Sequence, residues 1–292
     1  MQIGRVVFDG VAACAVRHRG AWIRLTEPDS VDWDVLDALN RRHEIEARLD
    51  GLDLESEIAA GKAVSESEAT VCLPLGRRRS IVAVGLNYAA HANEVSFKSV
   101  DHPLLFAKWP GALTGPYDHV VLNAELSTQV DYEVELAVIV GKTAENVAPD
   151  DALNFVAGYT VANDISARDI QQSESQWTRA KSFNGFCPVG PWITSSDEIA
   201  DPQNLTISSY VNGDRRQHAS TSHMLHSVAE IIAFTTRGAT LYPGDIIITG
   251  TPAGVALGTS ALKWLQPGDI VRCEIEGLGH LENTMVAASR AA

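Results

Sequence analysis

Apolar and polar residues alternate from Gln129 to Leu136 within the stretch Gln129 to Gly141. Tyr132, Val134, Leu136 and Val138 fall on one face of a predicted strand; Asp131, Glu133 and Glu135 fall on the other, ahead of the apolar run Ala137 to Val140. Shorter strand-like runs, Ile3 to Phe8, Ala12 to Arg17 and Ala21 to Leu25, are separated by Asp9-Gly10 and Arg19-Gly20 and predict a small β-meander. Ser30 then precedes helical spacing at Val31, Val35, Leu36 and Leu39, and polar and acidic residues dominate from Asp50 to Glu68. The turn Pro74-Leu75-Gly76-Arg77 leads into the buried-strand run Ser80 to Gly85, which predicts a small N-terminal α+β domain over 1–73 and a larger domain over 74–292.

Within the larger domain, Leu86 to Glu94 holds good helix formers with Asn87 as a possible N-cap. Ala157 to Asn163 reads as a short strand that delivers Asp164 at its end, and Ser166 with Asp169 makes a capping pair for a helical turn. Asn212-Gly213 between Thr206–Val211 and Arg215–Ala219 is a strong hairpin signal. Ser227 and Glu230 form a capping box for an apolar helix through Phe234, which Gly238 can end. Pro-Gly-Asp-Ile occurs at 243–246 and again at 267–270, each time as a turn feeding a β-branched strand. The polar stretch Val95 to His102 is a candidate lid.

Composition narrows the function classes. A chain of 292 residues with 45% hydrophobic and 21% charged residues is ordinary for a soluble globular protein. A formal charge of −14 repels nucleic acid and anionic membrane surfaces, yet leaves a small anionic substrate open, since local charge decides its binding. No apolar run reaches membrane-span length and no signal-peptide pattern opens the chain, so a cytoplasmic location is expected. Cys14, Cys72, Cys187 and Cys273 have no metal-site spacing, which points to free thiols.

The candidate chemistry starts from the acidic face. Same-face neighbours on a strand lie roughly 7 Å apart, so ionised carboxylates there repel one another unless a cation intervenes. A divalent metal would resolve the conflict; an acidic edge strand facing water would avoid it. Asp164 adds a carboxylate at a strand end, beside Arg168 and Gln171. His91 and Glu94, three apart on one helix, suit a hydrogen-bonded pair in which the carboxylate orients an imidazole base. Thr249 to Gly254 is a strand-end loop whose N–H groups and hydroxyl could grip a carboxylate.

Five motifs in order, Val84-Gly85-Leu86-Asn87-Tyr88 with His91 and Glu94, Asp131 to Leu136, Asn163 to Asp169, Lys181-Ser182-Phe183 and Thr249-Gly250-Thr251-Pro252, resemble the fumarylacetoacetate hydrolase family over Ser80 to Val286. The resemblance implies an α+β, mainly β fold, a mixed β-sandwich roll with a small N-terminal domain, in a homodimer. It implies Glu133, Glu135 and Asp164 as ligands of Mg²⁺ or Mn²⁺, with His91, Glu94 and Lys181 catalytic and Arg168, Gln171, Gly250 and Thr251 on the substrate. Lys108, in a Pro-x-x-Phe-x-Lys stretch that the family often has, could face the site or be structural. The activity so implied is carbon–carbon hydrolysis of a 1,3-diketo acid such as an acylpyruvate. Oxaloacetate decarboxylation, hydration or isomerisation of an unsaturated keto acid, and silent binding of metal and keto acid are the alternatives. Relatives commonly carry an acid where this chain has Asn184, which puts substrate preference in question.

Overall fold

The computed structural model describes residues 1–26, 33–76, 79–95, 101–258 and 263–289. Among these, the strand Val134–Val140 is the central element, and both of its faces are buried. Tyr132, Val134, Leu136, Val138 and Val140 belong to one core with Val161, Ile231 and Leu281. Ala137 and Ile139 belong to a second core with Ile3, Val16 and Ile248. The alternation seen in the sequence therefore sorts residues between two cores rather than between core and water.

Val134–Val140 pairs antiparallel with Val156–Asn163 on one side and with Ile246–Ile248 on the other. Beyond Ile246–Ile248 the sheet continues through Ile81–Gly85, in parallel, to Leu104–Lys108. Beyond Val156–Asn163 it continues through Cys187–Ser195 to the N-terminal strands Gln2–Phe8, Val11–His18, Ala21–Arg24 and Ala63–Ser65. The meander is as the sequence predicts, with Asp9-Gly10 and Arg19-Gly20 all at positive φ in its turns. The boundary expected at 73/74 is crossed by this sheet and by the second core: Gln2 and Ile3 pair with Thr194 and Ile193.

A second sheet of five strands runs Asp214–Ser220, Thr206–Val211, Ile270–Ile275, Gly279–Ala287 and Val120–Leu122. Asn212 and Gly213, both at positive φ, make its tight hairpin turn. The helix Val228–Thr236 carries the Ser227–Glu230 capping box, and Ile231 and Ile232 fix it to the first core. Architecture and pairing define an α+β, mainly β fold.

Three local expectations are corrected. The acidic strand is interrupted at Tyr132 and Glu133, so Asp131 joins a separate short ladder, Val130–Asp131 with Ser166–Ala167. Tyr88, without a side-chain cap bond, precedes the helix Ala89–Glu94; Asn87 is buried and instead bonds the His226 and Thr249 carbonyls and the His226 N–H. The helix Arg168–Ser173 also lacks a side-chain cap, because Asp169 turns to Ser127 and Thr128 while Ser166 bonds the Asp164 carbonyl. Ser30 and most of the expected lid fall outside the described residues. Of the four free cysteines, three are buried and Cys72 is partly exposed.

Candidate active site

Glu133, Glu135 and Asp164 are all buried, and one carboxylate oxygen from each lies within 4.8 Å of the others. The backbone explains the convergence. Val134 sits opposite Asn163 in the central ladder; the Glu133 N–H donates to the Asn163 side chain at 3.0 Å, and the Asp164 N–H donates to the Glu133 carbonyl at 2.9 Å. Glu135 arrives from the same strand, and its Oε2 accepts the Gly250 N–H at 2.7 Å. Gly250 has φ 97°, and a β-carbon there would lie 2.6 Å from Asn87 Cβ, so only glycine brings that amide so close.

Four buried acids, Asp131, Glu133, Glu135 and Asp164, meet three buried bases, Lys108, Arg168 and Lys181, leaving one negative charge. Lys181 Nζ donates to Glu133 Oε2 at 2.6 Å and to Asp164 Oδ2 at 2.8 Å. Arg168 donates to Asp131 at 2.9 Å, to Glu133 at 2.6 Å and to the Gln171 side-chain oxygen at 2.9 Å. Lys108 Nζ donates to Asp164 Oδ1 and to the Phe186 carbonyl. Asp131 accepts the Ala256 and Leu257 N–H groups besides Arg168, so it secures a loop and a guanidinium rather than joining the triad. Among the described residues, Glu135 alone of the four has no cationic partner.

The charges follow from those pairings. Burial opposes ionisation of Glu133, but Arg168, Lys181 and His91 outweigh it and hold the carboxyl below the ordinary range. Burial raises Glu135 well above it, and repulsion from Asp164 and Glu133 adds to the effect. Burial opposes the charge on Lys181, yet Asp164 and Glu133 outweigh it and hold the ammonium's pKa above the ordinary lysine value. Three oxygen donors, one of them without a counter-charge, fit a hard divalent cation.

This arrangement predicts a pH signature for metal-free protein. The raised Glu135 supplies stability that is complete below the ordinary glutamate value of 4.5 and is lost as pH rises through its higher folded value. The depressed Glu133 works the other way, losing its contribution as pH falls below 4.5. Melting of chelator-treated protein should therefore decline on the alkaline side, and Mg²⁺ should flatten the decline, because the cation binds the deprotonated group. A decline of unchanged slope in Glu135→Gln would contradict the assignment.

Beside the triad lies a cavity of ≈ 240 Å³. His91, Glu133, Glu135, Arg168, Gln171, Gln172, Lys181 and Thr251 supply its polar lining; Val84, Leu86, Phe106, Trp177 and Leu257 are among its apolar walls. His91 is buried, with Nδ1 3.4 Å from Glu94 Oε2 and Nε2 3.9 Å from Glu133 Oε1. The loop Thr249–Gly254 does grip carboxylates, but they are the protein's own: Gly250 binds Glu135 and the Gly254 N–H binds Glu94 at 3.0 and 3.1 Å. The Thr251 hydroxyl donates to the Val134 carbonyl at 2.8 Å and accepts from Gln217 at 2.7 Å.

Gln217 is a residue that the sequence does not announce. It lies on the second sheet, is fully buried, and ties Val134 to Thr251 and Pro252, so it clamps the two sheets together next to the triad. Lys108 is visible only as part of its Pro-x-x-Phe-x-Lys stretch; the structure turns it inward onto Asp164. Asn184 is exposed and absent from the cavity wall, so the departure at that position does not change the charge lining the site.

The profile described as fumarylacetoacetate (FAA) hydrolase C-terminal matches residues 80–286, and the chain belongs to this family, whose members are enzymes. Oxaloacetate tautomerase Fahd2a, mitochondrial, of Rattus norvegicus is 42% identical over 224 residues, covering 76% of this chain and 71% of that protein. The structure of a fumarylacetoacetate hydrolase from psychrophilic Exiguobacterium antarcticum superposes with TM-score 0.80 at 36% identity, covering 99% of this chain and 100% of that one. Maleylpyruvate hydrolase from Sphingobium sp. SYK-6 does so with TM-score 0.78 at 30% identity and the same coverage.

Proposed function

We propose that this protein is a Mg²⁺- or Mn²⁺-dependent enzyme that interconverts the enol and keto forms of a small 2-oxo dicarboxylic acid such as oxaloacetate. The observation that carries the reading is a single imidazole, His91, set 3.9 Å from Glu133 of a buried Glu-Glu-Asp triad on the wall of a cavity of ≈ 240 Å³. The similarity to a named oxaloacetate tautomerase favours proton transfer over bond hydrolysis.

Glu133, Glu135 and Asp164 would hold the cation, which when bound supplies Lewis-acid stabilisation of negative charge on the oxo oxygen. Arg168 has spent three of its five N–H groups on Asp131, Glu133 and Gln171, leaving one on each terminal nitrogen for a substrate carboxylate. Because Arg168 holds the Gln171 oxygen, the Gln171 amide N–H₂ is left for substrate as well. Lys181 stays charged and stabilises the oxygen electrostatically. Glu94 would accept the Nδ1–H hydrogen bond of His91, leaving Nε2 unprotonated to remove a proton from C3; the C–H electron pair forms the C2–C3 double bond, the C2–O π pair moves onto the oxo oxygen, and Nε2 delivers the same proton to that oxygen, the reverse steps restoring the keto form. Gly250 and Thr251, expected on the substrate, act in this proposal by fixing Glu135 and the strand edge.

Carbon–carbon hydrolysis of an acylpyruvate is the second reading, favoured by the likeness to maleylpyruvate hydrolase and by the same His91–Glu94 pair activating a water. The test follows enol absorbance of oxaloacetate and, in parallel, pyruvate release from acetylpyruvate, on one preparation stripped of metal and then supplied with Mg²⁺ or Mn²⁺. Metal-restored enol–keto exchange well above any cleavage supports the first reading; cleavage dominating supports the second. Indifference of both rates to metal would sink the metal-enzyme proposal.

A cytoplasmic homodimer completes the proposal, although the rat relative's name places that protein in the mitochondrion. Among the described residues no helix is long and apolar enough to cross a membrane. Sedimentation and cell fractionation test these two points.

A further inference from the structure

We infer that Trp177, seated on Gly85, sets the length of substrate the site accepts and restricts it to oxo acids about the size of oxaloacetate; the inference rests on the oxo-acid reading above. From the triad outward, Lys181 Nζ lies 5.1 Å from the centroid of the Phe106 ring, and Phe106 meets Trp177 edge-on with centroids 5.5 Å apart. Trp177 and Lys181 belong to one turn, since the Lys181 N–H donates to the Trp177 carbonyl at 3.1 Å. The cationic end of the cavity and its aromatic wall are thus held at a fixed separation.

Gly85 explains how the indole fits. A β-carbon built there would lie 2.5 Å from Trp177 Cζ3 and 3.3 Å from Cη2, so the six-membered ring occupies the space a side chain would need. Gly85 is paired with Leu104 in the sheet and is not among the residues with positive φ, so the glycine is required for room rather than for backbone conformation. The strand at Gly85 and Phe106 pack against the partly buried ring, and the Lys181 turn fixes its backbone.

The cavity is also smaller than the roughly 300–1,000 Å³ typical of sites for drug-sized ligands. An oxo acid whose charged end meets Arg168 and Lys181 directs the rest of its chain at this wall. A short second arm stops before the indole. A longer acyl tail collides with it.

N-alkyl oxamates from methyl to hexyl, unreactive mimics of 2-oxo acids, test this by calorimetry in saturating Mg²⁺. Wild-type affinity should fall by at least about 10-fold once the tail reaches the wall, the order expected for poorly accommodated methylenes. Trp177→Ala and the milder Trp177→Leu should recover about 10–200-fold for long tails relative to methyl oxamate. Gly85→Ala, which displaces the ring, should shift the tail length at which affinity falls. Melting curves identify any variant that fails to fold, and the remaining two still decide. Identical length profiles in wild type and the Trp177 variants would overturn the inference while methyl oxamate binding keeps the oxo-acid reading. Absence of binding by every oxamate to the wild type would overturn both.

Discussion

Glu135→Gln should fold at least as well as the wild type when metal is absent, yet lose metal binding and metal-dependent turnover. Glu135 is the triad member with no cationic partner among the described residues, and burial and its acidic neighbours already resist its charge. Neutralising it removes that penalty and keeps the Gly250 bond, while the cation loses one of its three carboxylates. Glu133→Gln should behave in the opposite way. It takes from Arg168 and Lys181, both buried, one of the two carboxylates each pairs with, so metal-free stability should fall, by less than the about 3–5 kcal/mol of a buried charge left wholly unpaired. Melting in chelator and Mn²⁺ calorimetry measure both properties. Equal loss of metal-free stability in the two variants would refute the idea that Glu135 is held for a cation and Glu133 for its protein partners.

His91→Ala should lower enol–keto exchange by about 10²- to 10⁴-fold, the usual contribution of a positioned acid–base group. Metal affinity should change little, because Nε2 is 3.9 Å from Glu133 and the triad is fixed by backbone, lysines and Arg168. Any oxaloacetate decarboxylation by the same preparation should suffer less, since loss of CO₂ generates its own carbanion and draws mainly on the cation and Lys181. Rates at saturating Mg²⁺ with metal content checked separate these cases. Parallel losses of both activities, or of metal affinity, would show that His91 assembles the site instead of moving protons.

Local patterns made much of the fold legible. Dipeptides that favour positive φ marked the N-terminal meander and the Asn212-Gly213 turn, and the Ser227–Glu230 box marked its helix. Long-range pairing was not legible: nothing in the alternation of Val134 to Val140 tells that its second face meets Ile3 and Val16. The site divides similarly. The carboxylates, His91, Arg168 and Lys181 stand in recognisable motifs, whereas Gln217 and Lys108 take their positions from sheet packing. Asp131 shows the limit of periodicity. It keeps the parity of Glu133 and Glu135, but the strand breaks after it, and its carboxylate turns to Arg168 and to two amides of another loop.

The N-terminal strands that extend the large sheet also bear on what can stand alone. Residues 80–286 hold every group assigned to the site, yet their strand Cys187–Ser195 is completed by Gln2 and Ile3, and buried Ile193 packs with Ile3 and Val16. Cut away from its first 73 residues, that portion would present an open strand with a bare apolar flank, the template on which chains join edge to edge. The N-terminal segment therefore covers that strand end and its apolar flank and carries the sheet's edge out to Ala63–Ser65, at a distance from the chemistry.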